Sequence, residues 1–427
     1  MWLSTSWICH VRTEMHAPDP APAGSLEGLR VLDLSRVLAG PLCTQMLGDH
    51  GATVVKVEPP SGDETRSWGP PFLAEDVSAY FTGLNRNKAN ICLDFGDQRG
   101  RAVLAELMAA ADVLVENYKV GTLAGWGWSD EALREQHPAL IHCRITGFGA
   151  DGPMGAMPGY DAVCQAYSGL MSINGEPSGP PLRVGVPIVD MVTGMNAFAG
   201  ILLALRAREQ TGQGQLVDCT LIDSAVSLLH PHSASWLADG RTPTRTGSAH
   251  PTIAPYDNFD ASDGLIFIGA GNDRQFAQLV DELGCAELLA DSRFNANADR
   301  VRNVGELRPR LSAKIRERCR HPLAKALLSR GVPATPVHDV GEALSDAHVV
   351  HRHMVVESGG YRGVGVPIKL ERTPATIRRP PVSRGHDTDR VLRELGLSAE
   401  HIEELVRSGV AMHASSDGDD DVHDQRV

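Results

Sequence analysis

Short, mostly apolar runs alternate with segments of helical period through the first part of the chain. The runs that predict strands are Gly28–Ser35, Ala52–Glu58, Ala89–Phe95, Asp112–Glu116 and Leu140–Gly147. Helical segments such as Arg99–Ala111 lie between them. Strands that are nearly continuous in apolar residues and alternate with helices are typical of a parallel sheet covered on both faces. The pattern therefore predicts an α/β fold.

The pattern changes in the second part of the chain. Two long helices are predicted over Asp161–Ser172 and Asp190–Arg208, followed by a glycine-rich turn at Thr211–Gly214. Beyond Ile222, a strand and two helices predict a second, smaller α+β domain. These elements are Leu265–Gly269, Arg274–Leu283 and Gly305–Arg320. A segment rich in Pro and Gly follows and predicts a long connection, and two final helices are expected to return to the first domain.

These patterns predict the following division of the chain. It has a disordered extension over 1–25, a large domain over 26–210, a linker over 211–231, a small α+β domain over 232–331, a second linker over 332–384, C-terminal helices over 385–412 and an acidic disordered tail over 413–427.

Composition narrows the possible partners. The formal net charge is -13, which argues against nucleic acid as a partner. No apolar run approaches the ~18 residues that a membrane helix needs, so no membrane partner is expected. Eight cysteines lie scattered without a CxxC pair, which predicts neither a metal site nor a disulfide framework. A reducing cytoplasm fits this cysteine usage best.

The common catalytic motifs are absent. The first predicted βα turn reads SRVLAGP over 35–41 and lacks the GxGxxG pattern of a dinucleotide-binding turn. The sequence also has no Walker A loop, no GxSxG and no HExxH. The missing fingerprint argues against an NAD enzyme.

One carboxylate interrupts an apolar run. The segment RVGVPIVDMVTG, residues 183–194, is apolar until Asp190, and small residues follow it. From the residues alone, a helix N-cap is the better interpretation of Asp190, and the same holds for Asp161.

Several runs together resemble the class III CoA-transferases, the CaiB/BaiF family. They are VLDLSRVLAGP (31–41), GATVVKVE (51–58), GDETR (62–66), LNRNK (84–88), ADVLVEN (111–117), GYD (159–161), TGQG (211–214) and GHDT (385–388). They follow the family's order from about residue 26 to 410. Three further stretches, WGPP (68–71), GSAH (247–250) and GAGN (269–272), are most similar to the succinyl-CoA:dicarboxylate branch.

The resemblance implies an architecture and a reaction. The fold would be an interlocked homodimer in which a Rossmann-like large domain, built from both chain ends, binds CoA. The reaction would move CoA from an acyl-CoA, expected to be succinyl-CoA, to a carboxylic acid, expected to be a dicarboxylate. Coenzyme A and acyl-CoA would be substrates, with no permanently bound cofactor. An aspartate, ionised near neutrality, would serve as nucleophile without a general base.

The resemblance also assigns site residues. Asp190 would be the nucleophile, and Asp161 would support it at the bound thioester. The positions expected to bind CoA are Leu38, Ala39, Leu93, Asp94, Asn117, Tyr118, Lys119, Gly159 and Tyr160. A dicarboxylate acceptor also needs a cation for its far carboxylate. The candidates are Arg36, Arg86, Arg183 and His250.

Two other functions stay open from the sequence. One is an α-methylacyl-CoA racemase or epimerase, which would exchange an α-proton using Asp161 and a histidine. The other is a non-catalytic CoA-binding protein that kept the fold.

Overall fold

The computed structural model of the chain describes residues 24–74 and 76–414. Its strands are β1 (Arg30–Asp33), β2 (Thr53–Glu58), β3 (Phe72–Ala74), β4 (Val77–Ser78), β5 (Lys88–Leu93), β6 (Val113–Glu116), β7 (Ile141–Thr146), β8 (Leu216–Thr220), β9 (Tyr256–Ala261), β10 (Gly264–Gly269), β11 (Ala334–Pro336), β12 (Val355–Ser358), β13 (Tyr361–Val364) and β14 (Ala411–Met412). Apart from their inner ends, the extension and the tail predicted to be disordered lie outside the described residues.

The helices vary from single turns to a helix of 24 residues. They are α1 (Ala39–Asp49), α2 (Ala79–Thr82), α3 (Gln98–Ala110), α4 (Thr122–Gly125), α5 (Asp130–Gln136), α6 (Asp161–Ser168), α7 (Leu170–Ile173), α8 (Ile188–Thr211), α9 (Leu221–Ser227), α10 (His232–Asp239), α11 (Asp273–Glu282), α12 (Asn297–Arg302), α13 (Val304–Ile315), α14 (Arg320–Ser329), α15 (Val340–Ser345), α16 (Ala347–His351), α17 (Thr388–Glu394) and α18 (Ala399–Arg407).

A seven-stranded sheet forms the larger part of the molecule. Its strand order is β14-β5-β2-β1-β6-β7-β8. All neighbouring pairs are parallel except β14, which pairs antiparallel with β5. The predicted α/β fold with a parallel sheet is therefore confirmed. Since the carboxyl ends of parallel strands meet at one edge, the turns that follow β1, β6 and β7 lie close together.

Apolar side chains cover both faces of this sheet. On one face, Cys43 of α1 and Ile201 of α8 pack against strand residues such as Val113. On the other face, Leu104 of α3 joins Leu392 of α17 in a second core, which also includes α18. The C-terminal helices α17 and α18 thus pack against the large sheet, which also contains the N-terminal strands.

A smaller α+β unit follows along the chain. Strands β9, β10 and β11 form an antiparallel sheet. Its core holds Phe276 of α11, Leu311 of α13 and Leu327 of α14, all of them buried.

Both predicted linkers need correction. The segment 211–231 contains β8, which pairs with β7 and completes the large sheet. The segment 332–384 begins with β11, which pairs with β10 and belongs to the small sheet. The sequence predicts a strand-like segment over Gln215–Leu221, which coincides with β8, so only its assignment to a linker was wrong. Strand β11 was missed because it has only three residues, too few for the apolar run by which buried strands are recognised.

Helix α8 is long enough and apolar enough to cross a membrane, judged by length and composition alone. Among the described residues it is the one such helix, with a mean hydropathy of 1.8, and its central residues include Ala197 and Ile201. These two side chains are fully buried against α1 and the sheet. Core helices of soluble proteins have the same composition, so this helix alone carries no argument for a membrane.

Candidate active site

A cavity of about 370 Å³ lies at the carboxyl edge of the large sheet. The predicted residues that line it are Arg36, Leu38, Ala39, Asn117, Tyr118, Lys119, Gly159, Tyr160 and Asp190. The sequence analysis did not single out several of its other lining residues, which include Val37, Glu64, Ile145, Thr146, Met157 and Leu221. The structure thus brings Asp190 together with most of the turn residues expected to bind CoA.

Asp190 is not the N-cap of its helix. Helix α8 begins at Ile188, so Asp190 lies in the first turn, and the N-cap Pro187 has no side-chain capping bond. The Asp190 carboxylate makes no hydrogen bond to any other residue of the described part. It therefore enters the cavity without a partner that would occupy its oxygens.

A close contact between two helices fixes the position of Asp190. Gly194 is one turn further along α8, and a Cβ atom there would lie 2.6 Å from the backbone oxygen of Ala39. Such a distance is too short for any side chain, so glycine allows α8 to approach the start of α1. Both helices therefore contribute to the wall of the same cavity.

The protonation of Asp190 is unusual. Burial, and after it the negative charge of Asp161, raise the pKa of Asp190 from 3.8 to about 7. The expectation of an aspartate already ionised near neutrality therefore needs correction, because burial disfavours the charged form. A carboxylate with a higher pKa is also a more basic nucleophile once it is ionised.

Asp161 acts on the start of α8 from a different helix. One carboxylate oxygen, Oδ2, accepts from the backbone N–H of Val189 at 2.8 Å and of Asp190 at 3.2 Å. The other oxygen accepts from the Gln165 amide at 2.5 Å, and this amide in turn accepts from the N–H of Val184. Asp161 does not line the cavity. It caps α8 and places Asp190, which differs from the predicted position at a bound thioester.

Asn117 joins two of the turns at the cavity. Its amide oxygen accepts from the Arg36 N–H at 3.0 Å, and its amide nitrogen donates to the Arg36 carbonyl at 2.8 Å. Next to it, the N–H of Tyr118 donates to the carboxylate of Glu116 at 2.7 Å. These bonds use both ends of the Asn117 amide, so this side chain holds the turn after β1.

Two cations line the cavity with their charges free. Arg36 and Lys119 are both exposed, and neither forms an ion pair with any residue in 24–74 or 76–414. Cations that have no protein partner are available to phosphate or carboxylate groups of a ligand.

The remaining predicted cations lie elsewhere. Arg86 is buried and its guanidinium donates to both oxygens of Asp49, at 2.9 and 2.7 Å. It is therefore a structural residue, which corrects the predicted substrate role. Arg183 lies on an exposed loop and donates to the carbonyls of its own segment. His250 lines a separate, mainly apolar cavity of about 190 Å³ in the small unit.

Two residues expected to bind CoA also lie outside the main cavity. Leu93 ends β5, and its side chain is fully buried in the core. Asp94 accepts from the N–H of Gly96 within its own turn. Strand β5 is separated from β1 by β2 in the sheet, which places this turn away from Asp190.

Tyr80 is a residue that the sequence analysis missed. Burial and then the negative charge of Asp190 raise the pKa of Tyr80 to about 12, which places its phenol in the field of the carboxylate. Its ring meets Trp68 edge to face at 5.1 Å. No spacing rule relates this position to Asp190, because the two residues come together only through the fold. Within the part of the chain described, no group of three or more His, Cys, Asp or Glu residues could hold a metal ion.

Comparisons with known proteins agree with the resemblance. The model of CoA-transferase family III matches residues 26–388. Succinyl-CoA:glutarate CoA-transferase of Mus musculus is 40% identical over 90% of this chain and 90% of its own length. Acetyl-CoA:oxalate CoA-transferase of Acetobacter aceti is 38% identical over 87% of this chain and 96% of its own length. The crystal structure of a CAIB/BAIF family protein from Brucella suis superposes with a TM-score of 0.81 at 39% identity, covering 87% of this chain and 100% of that one.

Proposed function

We propose, since this chain belongs to CoA-transferase family III, that it transfers CoA from succinyl-CoA to a dicarboxylate and that Asp190 is the nucleophile. The observation that carries the proposal is the Asp190 carboxylate, which lines the cavity with a raised pKa and no hydrogen-bonding partner among the described residues. A partly buried carboxylate with free oxygens is suited to attack a thioester.

The proposed reaction proceeds by four exchanges at carbonyl carbons. The Asp190 carboxylate attacks the succinyl thioester, which releases CoA thiolate and leaves a mixed anhydride. The thiolate then attacks the aspartyl carbonyl, which releases succinate and leaves an aspartyl-CoA thioester. The acceptor carboxylate attacks this thioester, and the released thiolate attacks the acceptor carbonyl of the new anhydride. Product leaves as the acceptor's CoA ester, and Asp190 is a carboxylate again, so no net proton is consumed.

The free cations support an anionic substrate. Arg36 and Lys119 line the cavity, and CoA carries phosphates while a dicarboxylate keeps one carboxylate remote from the reaction. The two relatives above are named for glutarate and oxalate, which are both dicarboxylates. We assign Lys119 to a CoA phosphate, and Arg36 to the far carboxylate because guanidinium binds carboxylate with two hydrogen bonds.

The proposal includes a homodimer that completes the site. Apolar side chains are exposed on several helices, including Leu203 of α8 at 73% and Leu237 of α10 at 77%. Helix α10 buries none of its residues in the single chain. Exposed apolar surface of this extent is typical of a subunit interface, and a second copy is the partner we propose.

Covalent trapping tests the role of Asp190. The chain is incubated with succinyl-CoA and hydroxylamine, and peptides are mapped by mass spectrometry. We expect a hydroxamate at Asp190 and none in Asp190→Asn, which should also lose transfer to glutarate. Asp223→Asn is the matched control, because Asp223 lies in the first turn of the neighbouring helix α9 and outside the cavity. Normal transfer by Asp190→Asn would reject the proposed mechanism.

A further inference from the structure

The turn between β1 and α1 has a backbone conformation that is rare for its residue type. Val37 has φ of 69°, in the left-handed region. A β-branched residue in this region is a true outlier, because its Cβ atom approaches the following carbonyl. Val37, Leu38 and Ala39 all line the cavity that contains Asp190. The strained residue is therefore part of the cavity wall.

A buried ion pair contacts the turn at the strained residue and at Ser35, two positions before it. The N–H of Val37 donates to Oδ1 of Asp63 at 3.3 Å. The other oxygen of Asp63 accepts from the Lys56 ammonium at 3.0 Å, and the same ammonium donates to the carbonyl of Ser35 at 2.7 Å. The side chains of Lys56 and Asp63 are 1% and 0% exposed.

A gain in folding stability does not by itself explain why Lys56 and Asp63 form a buried ion pair. Taking two charges out of water costs free energy that their attraction often fails to offset, so buried pairs are weak evidence for a gain in stability. Strained backbone persists only where surrounding structure determines it, and it is concentrated at functional sites. Here the pair holds Ser35 and Val37, and Val37 lines the same cavity as Asp190 together with the next two residues of the turn.

We propose that Lys56 and Asp63 are positioning residues, which hold Val37 in its left-handed conformation and so fix the wall that Leu38 and Ala39 contribute to the cavity. Neither side chain lines the cavity. The inference rests on the proposed function where the rate of CoA transfer is measured. The affinity for CoA depends on the same cavity wall and can be measured without any transfer.

A double-mutant cycle in the full-length protein tests this role. Asp63→Ala removes the acceptor for the Val37 N–H, so valine should relax from its left-handed conformation. We expect kcat/KM for succinyl-CoA to fall about ten-fold or more and CoA to bind more weakly. Val37→Gly is then added, because glycine adopts positive φ without steric cost. In the Asp63→Ala background, we expect Val37→Gly to raise kcat/KM and the affinity for CoA at least about three-fold. In the wild type, we expect it to raise neither.

A second glycine substitution controls for flexibility. His353 is another non-glycine residue with positive φ, at 52°, and it lies outside the main cavity. His353→Gly should not raise activity or CoA affinity in the Asp63→Ala background. Lys56→Met, which removes the ammonium that holds the Ser35 carbonyl and Asp63, replaces Asp63→Ala in the same cycle if the alanine variant does not fold. The inference is overturned if Val37→Gly gives no rescue or if His353→Gly rescues equally. A wild type that binds CoA but transfers none would reject the proposed function, while the CoA affinities still decide this inference.

Discussion

The raised pKa of Asp190 predicts that ionisation of this side chain destabilises the folded state near neutral pH. In the folded chain the carboxyl group holds its proton up to a pH of about 7, whereas its ordinary pKa is 3.8. Between these values the folded state binds more protons than the unfolded state, so the free energy of unfolding falls as pH rises. Replacing Asp190 with asparagine, which has the same shape and no charge, should remove this loss.

The magnitude follows from the two pKa values. A group that is protonated in one state only contributes about 1.4 kcal/mol per pH unit. From about pH 5 to about pH 8, Asp190→Asn should therefore gain ~1–3 kcal/mol over the wild type, with the low end allowing for partial exposure. The gain should level off above the folded pKa, because Asp190 is then ionised in both states. The variant loses no hydrogen bond of the Asp190 side chain to the described residues.

Urea unfolding of both proteins at several pH values, at one protein concentration, measures this difference. Glu209→Gln is the matched control, because it removes one negative charge from the exposed end of the same helix, where Glu209 is 66% exposed. Its effect should stay within about 0.5 kcal/mol. A stability difference for Asp190→Asn that is constant from about pH 5 to about pH 8, or that shrinks with rising pH, would refute the reasoning.

Three further predictions address the cavity. Because the ionised form of Asp190 attacks the thioester, kcat/KM should rise about ten-fold per pH unit below about pH 7 and level off above it. The rate is measured as formation of the acceptor's CoA ester, and a flat pH profile would contradict this prediction. Lys119→Met should weaken CoA binding about two- to five-fold in calorimetry, whereas Lys325→Met on the exposed side of α14 should not. Gly194→Ala should lower kcat at least about ten-fold, because its methyl group forces α8 away from α1; kcat at the wild-type level would show that this contact does not place Asp190.

The sequence predicts the elements of this fold where one physical rule decides them. Strand β5 is buried at every residue, so its apolar run was recognisable, as were those of the other central strands. The rule that carboxyl ends of parallel strands share an edge also gathers the residues of the turns after β1, β6 and β7 into one cavity.

The features that the sequence did not predict depend on contacts between residues that are far apart in the chain. Arg86 was a candidate for substrate binding until the fold placed it beside Asp49. Asp161 has the position of an ordinary helix cap in the sequence, yet it caps a helix that begins 27 residues later, at Ile188. Tyr80 of α2 and Asp190 of α8 are far apart in the sequence, and only the folded chain brings them close enough for the carboxylate to raise the pKa of Tyr80. The periodicity of apolar residues describes one helix or strand at a time. It therefore does not predict which side chains on different elements interact.

The bonding of Asp161 distinguishes transfer from proton exchange. A racemase would need this carboxyl group to take a proton from the α-carbon of an acyl-CoA, with a histidine on the other side. Its oxygens already accept from two backbone N–H groups and the Gln165 amide, and no histidine lines the cavity within the described residues. In heavy water without an acceptor acid, we therefore expect no deuterium at the α-carbon of recovered succinyl-CoA beyond that in a protein-free sample.

Asp161→Asn then separates its two remaining effects on Asp190. An asparagine oxygen still accepts from the N–H of Val189, so the start of α8 should be kept. The negative charge is lost, so the pKa of Asp190 should fall and the rise in kcat/KM should move to lower pH. Asp161→Ala loses the cap as well, so its transfer rate should be lower than that of Asp161→Asn at every pH. Deuterium incorporation by the wild type that both variants abolish would instead make Asp161 an acid/base residue and favour the racemase.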